Sequence, residues 1–461
     1  MRLVADRTLR RLDGGRVLLG GSPLKLLRLR DAGTQLVARL LDGGEPAPAR
    51  GTGAQLVDRL LDAGMVHPVP AGGGTHTVDD VAVVVPVHDR RDGLHATLAA
   101  IGAVGDVVVV DDGSRTPIPE ATIRHDAPHG PAGARNAGWR AASSALVAFV
   151  DADVVPDAGW LAPLLAHFDD PRVGAVAPRI VADVRDVRPR WLAAYERVRS
   201  PLDLGADPSP VRPKAKVPYV PTAALVVRRT ALEQLHGFDE SMRVGEDVDV
   251  VWRLHEAGWR VRYEPRSVVH HPARATPTGW VRQRFDYGTS AAPLASRHPG
   301  DVSPVSVSGW SAAAWAFVAA GHPVAGVATA VGTTALLAPK LQPLPDAWRE
   351  AIRLAGTGHV LAGRRLADAV TRTWWPAALA AATVSARARR ALVAASIVPA
   401  LLEWRERRPA GIDPARFVVA KLADDVAYGA GVWSGCLRER SFAALKPDLS
   451  NWPGRHPTNS A

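Results

Sequence analysis

Three stretches, "VAVVVPVHD" (81–89), "VVVVDDGS" (107–114) and "LVAFVDADVVPDAGW" (146–160), run through apolar, largely β-branched residues and end in acids. A strand that is apolar on both faces must be covered on both, which a sheet held between helices provides. Helical patterns, "RRDGLHATLAAI" (90–101) and "ARNAGWRAASSA" (134–145), lie between the three runs. Strand and helix therefore alternate, which predicts an α/β fold on a largely parallel sheet. The texture continues to about Arg266. In such sheets ligands collect outside the carboxyl ends of the strands, where the acids stand.

The chain has 461 residues, too many for one ordinary core. Composition divides it. Residues 1–70 read as a small winged-helix-like module: short strands around Gly turns, then two amphipathic helices about Leu36–Leu41 and Leu56–Leu61. It resembles small modules that recognise leader peptides, and a structural cap is an equal reading. Gly and Pro make 71–80 a linker. The α/β domain is expected over 81–297. Residues 298–461 form an Ala-rich, mostly helical region whose stretch from Ser311 to Ala338 carries no Lys, Arg, Asp or Glu. That stretch is long enough to cross a bilayer, yet "GHP" at 321–323 breaks it, so a buried helical hairpin is the competing reading. Arginines at 387–390 and 405–408 would suit an anionic lipid surface.

The net charge of +10, carried mostly by arginine, favours anionic partners. No clustered basic and aromatic motif points to nucleic acid. The lone Cys436 excludes an internal disulfide and a cysteine zinc site. The first residues lack the apolar core of a secretory signal, so the expected location is the cytoplasm, on the inner face of the cell membrane.

Asp151 and Asp153 are separated by two, which in an extended segment turns both carboxylates to one side. Such a pair asks for a cation, and oxygen ligation at a strand end suits Mg²⁺ or Mn²⁺. "GPAGARNAGWRAA" (130–142) sets Arg135 and Asn136 near a helix start, where the amide dipole and an arginine fork suit a diphosphate. It is neither a phosphate loop nor Gly-x-Gly-x-x-Gly, which removes a dinucleotide-binding oxidoreductase. Further on, Glu246, Asp247 and Asp249 open a helix, three acids where capping needs fewer.

Taken in order, "VVVPVHD", "VVVVDDGS", "GARNAG", "VDADVVPDAGW" and "HGFDESMRVGEDVDVVWRLHEAGWRVRYEP" resemble family 2 glycosyltransferases, inverting enzymes of the GT-A fold. The resemblance implies a nucleotide-sugar donor, UDP-glucose, and a peptide-derived small-molecule acceptor. Pro86 and Asp89 would line the nucleoside, Asp112 would bond the uracil, and Arg135 would lie near the diphosphate. Asp151, Asp153 and His271 (or its neighbour His270) would hold Mg²⁺ or Mn²⁺. Asp247, paired with Glu246, would be the base. Arg282, Gln283 and Arg284 would contact acceptor or diphosphate. Two positions depart from the family pattern: Gln283 and Arg284 are adjacent with no Trp following, and His88-Asp89 replaces an aromatic-Asn pair. The first leaves open whether one sugar or several are added. Alternative readings are a polysaccharide or lipid-linked acceptor, and a peptide-binding scaffold with an inactive transferase domain.

Overall fold

The structure, a computed structural model, describes residues 1–450 apart from 49, 70–73, 90, 343 and 345. It divides into two compact units, Met1–Val184 with Arg199–Ala273, and Arg185–Val198 with the chain from Arg274 onward.

The first unit opens with β1 (Arg2–Ala5), β2 (Arg10–Leu12), β3 (Val17–Gly20), β4 (Lys25–Arg28), α1 (Asp31–Leu41), α2 (Gly51–Ala63) and β5 (Val66–Val69). β2, β3 and β4 form an antiparallel sheet, and β1 pairs with β5. Leu18, Leu40, Leu60 and Met65 close a small core between them. Ion pairs fasten this module to the α/β core: Asp58 and Asp62 of α2 reach Arg260 at 3.3 and 2.7 Å. The linker expected at 71–80 begins in residues outside those described, but its later part is tied down. Thr75 donates through N–H and Oγ1 to Asp169 Oδ1, at 2.8 and 2.7 Å.

The α/β core then runs β6 (Val81–Val87), α3 (Arg91–Ile101), β7 (Asp106–Asp111), β8 (Ile123–Arg124), α4 (Gly130–Ala141), β9 (Leu146–Val150), β10 (Val155–Pro156), α5 (Leu161–Leu165) and β11 (Val173–Asp183). After α6 (Arg190–Arg199), which belongs to the second unit, come β12 (Ser209–Val211), β13 (Ala224–Arg228), α7 (Arg229–Leu235), α8 (Glu246–Glu256) and β14 (Arg260–Pro272). The sheet order is β10-β14-β11-β13-β9-β6-β7-β8, with β12 added beside β14. β9, β6, β7 and β8 are parallel, as are β11 and β14, while β13 runs antiparallel to both its neighbours. It is a mixed, mostly parallel sheet. β9 is buried along its length and β6 at every position but Pro86, as strands apolar on both faces must be.

The second unit comprises α6, α9 (Pro277–Thr289), α10 (Ala291–Arg297), α11 (Gly309–Ala319), α12 (Pro323–Leu337), α13 (Ala347–Ala351), α14 (Thr357–Arg372), α15 (Trp375–Val384), α16 (Ala386–Arg407) and α17 (Pro414–Arg438). Composition suggested a boundary at Arg297, where charge thins out. Packing divides the chain after Ala273 instead, because α9 lies against α17. Glycines permit that approach: a Cβ on Gly288 would stand 2.0 Å from Tyr428 O, and one on Gly431 2.0 Å from Phe285 O. The charge-free run is two helices, α11 and α12, broken at Gly321 (φ +86°) as its sequence suggested.

Gly138 of α4 gives the first prediction. A Cβ there would lie 2.2 Å from Val84 Cγ1 on β6. A helical Gly→Ala change ordinarily stabilises by up to about 1 kcal/mol. Gly138→Ala should instead destabilise by about 1–3 kcal/mol through overpacking, read by chemical denaturation. A more stable variant would mean that α4 can lift off the sheet at no cost.

Candidate active site

Several strand and helix ends meet at one rim of the sheet. β9 ends at Val150, and Asp151 follows with its N–H bonded to Ala223 O at 3.0 Å. The segment then turns, Val154 N–H reaching Asp151 O at 3.0 Å, rather than staying extended. Alternation along an extended chain would have turned Asp151 and Asp153 to one side. The turn instead sends the two carboxylates to different partners. Asp151 Oδ1 accepts from Arg135 Nη2 at 2.9 Å. Asp153 Oδ1 stands 3.6 Å from His271 Nε2. The second meeting follows from register, because β10 returns from the turn to pair with β14, Val155 opposite His270. The neighbouring His270 is engaged elsewhere, with Asp157 Oδ1 at 3.0 Å.

Arg135 is the centre of the arrangement. Its second terminal nitrogen, Nη1, donates to Glu246 Oε1 at 2.8 Å, and the guanidinium lies over the Phe238 ring. The residue is 4% exposed. Burial pulls its pKa down, but the Asp151 and Glu246 carboxylates more than reverse this and raise it. Sequence placed Arg135 beside a diphosphate; here both terminal nitrogens are committed to protein carboxylates. It joins the end of β9 to the start of α8.

Asp247 is next to that bridge without being part of it. Burial, and then the charge of Glu246, push its carboxyl up to about 7. Gly245, with φ +87°, turns the chain into α8 and sets Glu246 and Asp247 in the first turn. Glu246 is buried and ion-paired with Arg135, while the raised Asp247 carboxyl stands outside that pair. Asp249, the third acid, is fully buried and accepts from Arg253 Nε at 2.8 Å.

The other predicted residues of the α/β core line the same rim. Pro86 is partly buried in β6, three residues before Asp89. Asp89 has φ +55° and accepts from Arg115 N–H and Nε at 2.9 and 3.1 Å, which hold its pKa down. Asp112 Oδ1 takes the His129 N–H at 2.9 Å and faces His125 Nδ1 at 2.8 Å, and Oδ2 takes the Gly130 N–H at 2.8 Å. Asp112 thus clamps the start of α4, the helix that carries Arg135. Asp112, His125 and His129 are, among the described residues, the one group whose candidate ligand atoms all lie within 4.8 Å of one another. Gln283 and Arg284 lie inside the helical unit. Arg284 bonds Glu196 Oε1 and, at 3.2 Å, Asp424 Oδ1, a buried network that Trp280 Nε1 and Tyr195 OH complete at 2.8 and 3.0 Å. Arg282 is exposed, with Asp286 4.0 Å away.

Asn136 is a member of the rim to which the sequence assigned no role of its own. Its Nδ2 donates to Phe238 O and Glu240 Oε1, at 2.9 and 2.7 Å, while Oδ1 accepts from Phe238 N–H and Trp139 Nε1. It bolts α4 to the segment leading to α8. Gly237 (φ +76°) makes room, since a Cβ there would be 2.3 Å from Asn136 Oδ1. An asparagine inside a helix, where propensity disfavours it, was the available signal.

Two carboxylates and an imidazole are a donor set that suits Mn²⁺ or Mg²⁺. Asp153 and His271, 3.6 Å apart, need only small adjustments to share an ion, and Asp151 has its second oxygen outside the Arg135 bond. The donor types suit a divalent cation, but in this structure only Asp153 and His271 stand together, while Asp151 is turned to Arg135.

The chain belongs to glycosyltransferase family 2. The profile described as glycosyl transferase family 2 matches residues 82–235, covering the rim from β6 to α7. Along nearly its whole length the chain is similar to the Pre-mycofactocin glycosyltransferase of Mycobacterium tuberculosis (strain CDC 1551 / Oshkosh), 41% identical over 96% of this chain and 97% of the relative. The glycosyltransferase AglE of Haloferax volcanii is 26% identical over 43% of this chain and 69% of its own. Among solved structures, a mannosyltransferase of Pyrobaculum calidifontis in complex with GDP-Man and Mn²⁺ superposes with a TM-score of 0.44 at 19% identity, covering 80% of this chain and 90% of that one.

Arg135→Gln tests the bridge. Removing one partner of a buried pair strands the others, so stability should fall by about 3–5 kcal/mol. Loss of the cation should also move the pH dependence of activity upward, because Arg135 lowers the Asp247 pKa. Urea melts together with a pH–rate profile read both; an unchanged profile would detach Arg135 from the base.

Proposed function

We propose that the protein is an inverting, metal-dependent hexosyltransferase. It moves glucose from UDP-glucose to a hydroxyl of a peptide-derived acceptor, pre-mycofactocin, as the similar mycobacterial protein's name suggests. The observation that carries this reading is Asp247. A carboxyl held near pKa 7, beside an Arg135 bridge that ties α8 to the strand-end Asp151, is tuned to take a proton from an alcohol at neutral pH. A scaffold with an inactive domain has no use for such tuning.

Cleaving the sugar–phosphate bond leaves charge on the departing diphosphate. A divalent cation held by Asp151, Asp153 and His271 would neutralise that charge. Asp247 accepts the proton of the attacking hydroxyl, whose oxygen closes on the anomeric carbon from the face opposite the diphosphate. One displacement with inversion results, and no enzyme nucleophile takes part. Arg135 and Glu246 keep α8 at a fixed distance from the end of β9, so that base and leaving group are held at set positions. Pro86, Asp89 and Asp112 frame the nucleoside side. Of Arg282, Gln283 and Arg284, only Arg282 has its side chain in solvent. Because Gln283 and Arg284 are interior, extension to an oligosaccharide rests on other groups.

Activity should rise with pH through about 7 as Asp247 loses its proton. Stability runs the other way: an acid whose folded pKa lies above its unfolded value favours the fold below the unfolded value, and that advantage is lost as pH climbs through the folded one. Asp247→Asn should therefore cut kcat by roughly 10²–10⁴. It should also flatten the loss of Tm between about pH 4 and 7. The decisive assay incubates enzyme, UDP-glucose and acceptor pool with and without chelator, with products weighed by mass spectrometry. Transfer that survives excess chelator, or an Asp247→Asn enzyme with normal kcat, removes the corresponding part of the mechanism.

We also propose that the helical unit rests on the cytoplasmic face of a membrane. One helix, Pro323–Leu341, is long and apolar enough to cross a membrane, and 17% of it is buried. Val324, Val327, Val331 and Leu336 are exposed along it. Arg387, Arg389 and Arg390 offer anionic lipid about 1 kcal/mol each. Release from membranes by high salt identifies surface attachment, and release only by detergent identifies insertion. A protein wholly in the supernatant at low salt would end this proposal.

A further inference from the structure

At the far end of β14 from His271 lies a concavity. It has a volume of about 320 Å³ and is lined by α2 of the N-terminal module and by the α/β core, including Asp62, Arg172, Arg212, Trp259, Arg260 and Arg262. Arg262 and His271 are nine residues apart on one strand, roughly 30 Å at a strand's rise, so this is not the transferase rim.

The arginines are unequally served. Arg260 takes Asp62 at 2.7 Å, Asp170 at 2.8 Å and Asp58 at 3.3 Å. Arg172 also bonds Asp58, and lies 3.6 Å from Asp170. Those two arginines take all three carboxylates in direct pairs, so that Asp170 and Asp62 act on Arg262 only from a distance. Arg212 donates from Nη2 to the backbone oxygen of Ser22, and its Nε is buried with no partner. Arg262 is 5% exposed, its Nε is likewise buried without a partner, and no described residue forms an ion pair or side-chain hydrogen bond with it. Burial, and then the charge of Arg260, push its pKa down to about 10. A guanidinium is seldom left so: a buried charge costs several kcal/mol unless something compensates it.

We propose that this cavity is an oxyanion-binding site, in which the fork of Arg262, with Arg212, takes a phosphate or carboxylate group of a small molecule. The cavity is of ligand size, and guanidinium forks match both groups in geometry. Trp259, whose Nε1 is spent on Gln234 Oε1 at 2.8 Å, offers its ring to an apolar or planar portion of the ligand. Because α2 lines one wall and β14 and the Arg212 segment line the other, an occupant joins the N-terminal module to the core. Occupancy should therefore stabilise the module's docking. Which sugar or acceptor the transferase uses has no bearing on this site.

The test uses the whole protein at constant ionic strength. Inorganic phosphate and acetate are titrated separately against chloride, with Tm and calorimetric heat recorded. A saturable rise of Tm with phosphate identifies a phosphate-bearing ligand, and one with acetate identifies a carboxylate. Arg262→Met should weaken that binding at least tenfold, and in chloride alone it should melt no lower than wild type, since it removes a buried charge that has no direct partner. Arg212→Met serves as the second variant, expected to weaken the same binding, in case Arg262→Met does not fold. The proposal is overturned if neither anion differs from chloride, or if the saturable effect survives in the folded variants.

Discussion

Arg135 is held between Asp151 and Glu246, and the rest of the acidic rim is arranged around that bond pair. The two carboxylates come from distant parts of the chain: one stands at the end of β9, the other begins α8. Brought together alone they would repel, and the guanidinium turns the repulsion into attachment. Because the guanidinium and Glu246 are buried, breaking the bridge leaves a charge without its partner. The helix that carries Arg135 is in turn fixed at its start by Asp112, at its middle by Asn136, and against the sheet by the bare face at Gly138.

The same bridge accounts for the division of labour between adjacent acids. Glu246 spends its charge on Arg135, and that charge, kept close, disfavours a second one on Asp247. Together with burial it lifts Asp247 into the range where a carboxyl can be either acid or base at neutral pH. The buried arginine thus holds the two elements together and tempers the rise in Asp247 proton affinity that burial and Glu246 produce.

Charge is also the theme away from the rim. In the helical unit, Arg284, Glu196 and Asp424 close a network whose members satisfy one another, with Lys421, Asp368 and Asp425 forming another along α17. Beside the N-terminal module, arginines outnumber the acids that reach them. The first two clusters are complete, and the third has an unused guanidinium. That contrast separates scaffolding from a place where something else binds.

The amino-acid sequence by itself determined the α/β architecture, because runs such as Val81–Val85 and Leu146–Val150 have no polar face to show to water. It also determined the rim, since acids that follow such strands have one place to go, and the order of motifs carried the family. It could not determine which acid meets which base. Asp151 and Asp153 differ by a turn that alternation does not foresee, and the Arg135 bridge spans positions far apart in the chain. The boundary at Ala273 and the interior burial of Arg284 depend on helix contacts that glycines allow, and composition is blind to these. Nor does an arginine in sequence disclose whether its carboxylate partners have already been taken. Local pattern fixes which residues must be buried or exposed; only the packed chain decides which charges are left facing one another.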